Sequence, residues 1–152
     1  MKTGTIFTLL LLIACTLSSP AQTAESFYLA KSVPGTLDEV ALTVKAELKN
    51  HGFGIITEID MQKSLKEKLD VDIPPYHIYG VCNVKLAHQL LQQEENIGVI
   101  LPCKMIIKQK DDTTVEVVFI DPEQLIDITG NNELTAIGKQ VKEAFEKVLA
   151  SL

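Results

Sequence analysis

The stretch TLDEVALTVKAELKNHGFGIITEID, Thr36 to Asp60, decides the fold. Thr36 and Glu39 have the spacing of a capping box: the hydroxyl takes an orphan N–H of the first helical turn and the carboxylate reaches back. Behind them Leu37, Val40, Ala41, Val44 and Leu48 recur three and four apart, one apolar stripe of a helix, and Gly52 stands where that helix must stop. Phe53 to Ile59 then alternates as a strand does, and Asp60 is placed to cap another helix.

Working outward, Phe27 to Val33 reads as a first strand running into a turn at Pro34-Gly35. After Asp60, Met61, Leu65 and Leu69 form one stripe of a second helix, with lysines and Glu67 elsewhere. Pro74-Pro75 ends the connection. Tyr76 to Cys82 alternates as a strand, with Tyr76, Ile78, Gly80 and Cys82 on one side and His77, Tyr79 and Val81 on the other. Asn83 caps a third helix whose buried edge is Leu86, Ala87, Leu90 and Leu91.

Val99 to Ile107 is the most apolar run and suits a buried strand, interrupted at Pro102, where a bulge or a sheet edge is expected because proline cannot donate to a ladder. Lys108 to Thr114 is a polar turn, and Val115, Val117 and Phe119 alternate on the return strand of a hairpin. Asp121-Pro122 starts a short helix. Gly130-Asn131-Asn132 opens the last one, which carries Leu134, Ile137, Val141, Phe145, Val148 and Leu152 at helical spacing. The reading is α/β of the α+β type: one mixed or antiparallel sheet, helices mainly on one face, a closing β-hairpin and a C-terminal helix.

The first residues differ in kind. Lys2, the apolar run Ile6 to Ala14 and the small, polar Thr16 to Ala24 have the order of a signal peptide, with cleavage expected after Ala21 and a single domain over 22–152. The run is too short to span a bilayer, so no transmembrane helix is expected in the mature protein. Leu12-Ile13-Ala14-Cys15 is a rival end point, a lipoprotein box in which Cys15 is lipidated. The expected location is the periplasm or the extracellular space, with an outer-membrane lipoprotein as the alternative.

The formal net charge of the chain is −6, and removing Lys2 with the signal segment leaves 13 lysines against 20 acids, or −7. Arginine and tryptophan are both absent, so bidentate phosphate forks and the best stacking platforms are missing. Nucleic acid and anionic membrane surfaces are therefore excluded as expected partners.

Cleavage also leaves Cys82 and Cys103 as a pair, each beside a residue that bends or ends a strand, Asn83 and Pro102. Three readings stay open. The thiols are inert small hydrophobes, or they close a loop of about 20 residues as a disulfide worth roughly 3 kcal/mol. Alternatively they bind a soft metal, a haem-like cofactor or a thiophilic ligand, or cycle by thiol–disulfide exchange. A metal set would be Cys82, Cys103 and His88, since His77 falls on the opposite strand face from Cys82. Glu58 and Asp60 lie two apart, but Asp60 reads as a helix cap and Glu58 as a solvated carboxylate. No G-x-S-x-G, phosphate loop, H-E-x-x-H or C-x-x-C occurs.

The segments GFGIITEID (Gly52 to Asp60), VCN (Val81 to Asn83) with Ala87 after it, LPC (Leu101 to Cys103) and Asp121-Pro122 resemble the domain of unknown function 302 family, in order and spacing, from about Thr36 to Ile128. The resemblance implies a small α/β domain that pairs as a homodimer, and brings no catalytic activity or cofactor with it. Two positions depart from it: Val84 stands where proline usually follows the asparagine, and Lys104 where asparagine commonly follows the second cysteine. The function expected is a non-enzymatic exported binding or accessory domain with its ligand site near Cys82, Cys103 and Asn83. A thiol redox or soft-metal-handling protein using the two cysteines is the alternative.

Overall fold

A computed structural model describes residues 26–152. The signal segment, its cleavage after Ala21 and the lipidation of Cys15 lie outside the described residues. The first strand, β1 (Tyr28–Pro34), leads into α1 (Leu37–Asn50), whose capping box is formed on both sides: Glu39 N–H donates to Thr36 Oγ1, and Thr36 N–H to Glu39 Oε2 at 3.1 Å. Gly52, at φ +80°, makes the left-handed turn out of the helix into β2 (Gly54–Asp60). Asp60 caps α2 (Met61–Leu69) by accepting from Lys63 N–H at 2.9 Å.

Strand β3 (Tyr76–Cys82) passes through the Asn83 cap into α3 (Val84–Gln93), and a 3-10 turn (Glu95–Val99) leads to the hairpin β4 (Cys103–Asp111) and β5 (Thr114–Ile120). A short α4 (Pro122–Asp127), a second 3-10 turn (Asn132–Leu134) and α5 (Thr135–Ser151) complete the fold. The strands lie in the order β1-β5-β4-β3-β2, every pair antiparallel, so the sheet is antiparallel rather than mixed.

Alternation gives the sheet two unlike faces. Tyr79, Val81, Met105, Ile107, Val115, Val117 and Phe119 are all buried, under the stripes of α1 (Val44, Leu48) and α5 (Val141, Phe145, Val148). Phe145 stands at the centre, its ring stacked on Phe119 at 4.4 Å between centroids and tilted against Phe53 at 5.3 Å. The opposite face carries a ladder in register across all five strands, Ala30, Val118, Ile106, Ile78 and Ile59.

Three expectations are corrected. Val99 to Leu101 is not strand: Val99 ends the 3-10 turn and is 88% exposed, and Ile100 N–H donates to Ile97 O. Pro102 makes no bulge within the strand, because β4 starts one residue after it, paired with β3 from Cys103 and with β5 only from Met105. The Met61, Leu65 and Leu69 stripe forms the helix expected of it, and none of the residues of α2 is buried. The hairpin strands also run further than expected, β4 reaching Asp111 and β5 starting at Thr114, so the turn is only two residues long.

Asp121 is buried, caps α4 through Glu123 N–H at 2.9 Å, and takes an ion pair from Lys142 of α5 at 2.8 Å. Lys142 also reaches Glu123 at 2.8 Å, so the one ammonium pins α5 to the start of α4. Close contact of the same two helices depends on Gly138, where a Cβ would fall 2.9 Å from Ile126 Cγ1 and 3.3 Å from the Pro122 carbonyl oxygen. Gly138→Ala should lower unfolding free energy by about 1–3 kcal/mol in urea titrations. Gly98→Ala, which meets open space, should change it by roughly 0.5 kcal/mol or less.

Candidate functional site

Cys82 is the last residue of β3 and Cys103 the first of β4, and Val81 is the register partner of Cys103. Both thiols are free, so the disulfide alternative is not the state of this structure. Residues Cys82 and Cys103 are among those lining one cavity of about 30 Å³ beneath α3, with Phe53, Leu86, Leu90 and Val141 among its apolar walls. A second cavity of about 20 Å³ shares Leu90, Leu101, Cys103 and Val141 with it and continues between the 3-10 turn, α4 and α5. Each is the size of one or two small atoms or a water.

Asn83 contributes the polar atoms of the first cavity and is itself fixed. Its Oδ1 accepts from Lys85 N–H at 3.1 Å and Leu86 N–H at 3.3 Å. Its Nδ2 would lie 3.2 Å from a Cβ at position 52, so Gly52 is needed for its left-handed turn and for this contact alike. The GF and CN steps of the sequence thus meet in space.

Both thiols are biased toward the protonated form. Burial pushes Cys82 up. Burial and then the nearby Cys82 push Cys103 up to about 11, against the smaller opposing pull of its backbone hydrogen bond and Lys104. A neutral thiol is a weak nucleophile and a poor metal ligand until it loses its proton.

His88 is not brought to this cavity; it is exposed on α3. Among the described residues no three His, Cys, Asp or Glu side chains come together as a metal-holding group. Val84 is 70% exposed at the first position of α3, where it leaves the Asn83 cap intact. Lys104 is exposed, its ammonium 3.4 Å from the Pro102 carbonyl oxygen.

A second constellation escaped the sequence reading. Glu58 is not a lone solvated carboxylate: Lys45 Nζ lies 3.2 Å from its Oε2 and His77 Nδ1 3.4 Å from its Oε1. His77 stacks on Tyr79, and Lys45 Nζ sits 4.8 Å above the Tyr79 ring. Partial burial pushes Glu58 up, but its hydrogen bonds and the Lys45 charge outweigh this and hold it below the ordinary carboxylate value. Burial and then the charge of Glu58 push the Tyr79 phenol up. These side chains, with Asp38 and Leu42, line a groove of about 280 Å³ against α1. A register shift between Ile55 and Thr57 produces the arrangement, because it changes the parity of β2 and turns Glu58 to the helix side, opposite Tyr79.

The model of the domain of unknown function DUF302 family matches residues 29–152. The chain belongs to this family. The match extends the resemblance at both ends and takes in α5. The solved structures include an uncharacterized conserved DUF302 protein from Bacillus stearothermophilus that is 26% identical, with a TM-score of 0.76 over 82% of this chain and 96% of that one. No curated protein matches. Membership in DUF302 thus supports the architecture and assigns no reaction.

Cys103 should react with iodoacetamide at pH 7.5 roughly a hundredfold more slowly than an unperturbed thiol, read by peptide mass spectrometry. The folded state holds the Cys103 proton more tightly than the unfolded chain does. The stability this contributes is therefore complete below the ordinary value of 9.0 and lost as pH rises toward about 11. Denaturation midpoints should fall over that window in the parent protein and fall less in Cys103→Ala.

Proposed function

We propose that the mature protein is an exported, non-enzymatic binding domain, acting in the periplasm or outside the cell, whose ligand occupies the cavity bounded by Cys82, Asn83 and Cys103. The observation that carries this reading is one apolar cavity among whose lining residues are two unpaired cysteines from two different strands. A cavity with few, fixed polar atoms orients a ligand without activating it. The raised pKa of both thiols counts against thiol–disulfide exchange, the alternative use of the same pair, since exchange requires the thiolate. Lys2, the apolar run Ile6 to Ala14 and the small residues before Gln22 support export.

Native mass spectrometry of protein recovered from the exported fraction tests this. The expected species starts at Gln22, or at a lipidated Cys15, and carries a bound mass that Ala87→Phe, which fills the cavity, removes while leaving the circular dichroism unchanged. Uncleaved chain without any bound mass would contradict it.

A second copy of the chain is the proposed partner, seated on the outer face of the sheet. The ladder through Ile78, Ile106 and Val118 supports this, together with the fact that Lys108 is already paired with Glu116 at 2.8 Å beside it. Two such faces can meet without burying either of those charges unpaired. Light scattering should give twice the monomer mass for the parent and monomer for Ile106→Lys; a monomeric parent at the same concentration would refute pairing.

A further inference from the structure

Separately from the apolar cavity, we infer that the groove between α1 and the β2–β3 end of the sheet is a second binding site, and that it takes a small organic ammonium: a primary amine on a compact apolar body. The groove, of about 280 Å³, is near the lower end of the sizes that hold small molecules. One wall is a single face of α1, where Asp38, Leu42 and Lys45 follow at spacings of four and three residues over about 10 Å of helix. Leu42 is 71% exposed, an apolar side chain outside the buried stripe, with a carboxylate one turn before it and an ammonium one turn after it. Glu58, His77 and Tyr79 form the other wall, from the sheet.

The polar groups of the groove are mostly acceptors. Two carboxylates, Asp38 and Glu58, stand against one lysine, so with His77 neutral the lining carries an excess of negative charge. Its one ammonium is already engaged: Lys45 Nζ is 3.2 Å from Glu58 Oε2 and 4.8 Å from the centre of the Tyr79 ring. Despite partial burial Glu58 is held below the ordinary carboxylate value by Lys45, and with its side chain 45% exposed it keeps lone pairs to accept with. When His77 donates Nδ1–H to Glu58 Oε1, at 3.4 Å, its Nε2 is the acceptor that remains. A ligand that suits this lining brings N–H donors and positive charge in one group, as a primary ammonium does. An anion would meet two carboxylates. A bare metal ion is not served either, since among the described residues no three His, Cys, Asp or Glu side chains come together to hold one. The apolar body answers Leu42, which lies between the charged ends of the helix wall.

The arrangement is built into the sheet. The register shift between Ile55 and Thr57 turns Glu58 toward α1, as bulges re-aim side chains elsewhere. Thr57 lies against its register partner Gly80, where a Cβ would collide with Thr57 Oγ1, so the glycine holds open the register that aims Glu58.

The probe is phenethylammonium, titrated into the isotope-labelled mature protein at pH 7 and about 0.15 M salt and followed by amide chemical shifts. One saturable site is expected, with the shifts centred on Asp38 to Lys45, Glu58 and His77 to Tyr79. Phenethyl alcohol, neutral, and hydrocinnamate, anionic, carry the same phenylethyl body and should bind at least about tenfold more weakly. Glu58→Gln and Asp38→Asn should each raise the dissociation constant about fivefold or more while keeping the parent circular dichroism. Hydrocinnamate binding as tightly as the amine, shifts centred away from the groove, or undiminished binding in both carboxamide variants would each overturn the inference. So would the lack of saturation at amine concentrations on the order of 10 mM.

Discussion

The missing N–H of Pro102 is the constraint on which the candidate site depends. Strand β4 lies in the middle of the sheet with partners on both sides, and a proline within it would leave a ladder position unmade. The strand therefore starts at Cys103, and the apolar residues before it turn away as a 3-10 segment that covers the end of the core. Leu101 and Cys103 face inward to the cavity, while the Pro102 ring takes the outer side, against Gly80. A Cβ at Gly80 would collide with Thr57 Oγ1 and fall 2.5 Å from Pro102 Cγ, so that glycine is fixed by the approach of these two side chains rather than by its own backbone angles. Cys103 is thereby brought beside the end of β3, where Cys82 sits.

Around that point the fold is a one-sided sheet. Phe119, Phe145 and Phe53 fill the middle of the covered face, and the Lys142 bridge to Asp121 and Glu123 sets the last helix onto it. A buried carboxylate with a cap hydrogen bond and an ion pair is satisfied in place; removing either partner would leave it stranded.

Much of this was legible because it is local. The Thr36–Glu39 box, the Asn83 and Asp121 caps and the turn at Gly52 depend on residues within a few positions of each other, and all are formed as their spacing implies. What was not legible depends on register. The irregularity between Ile55 and Thr57 changes which side Glu58 faces, and nothing in alternating apolar residues announces it. The meeting of Lys45 with Glu58 and His77 follows from that one residue. The stripe of α2 shows a related limit: its spacing specifies a helix, but only the sheet decides whether a surface is there to receive it.

The cysteines were conspicuous as the pair expected to remain in a cleaved chain, each next to a chain-bending residue, yet their neighbours were not. His88 lies two positions from both Leu86 and Leu90, about 200° round the helix from each, so burying that leucine edge turns the imidazole to solvent. Phe53 and Val141 enter the cavity from segments remote in sequence. The most direct measurement of the shared cavity is reaction of the reduced protein at pH 9 with dibromobimane, a short reagent that fluoresces once both of its arms have alkylated thiols. One fluorescent bridge per chain, mapped to the Cys82 and Cys103 peptides and absent from either single serine variant, is the predicted result. Reagent attached to each cysteine separately, without a bridge, would contradict the account.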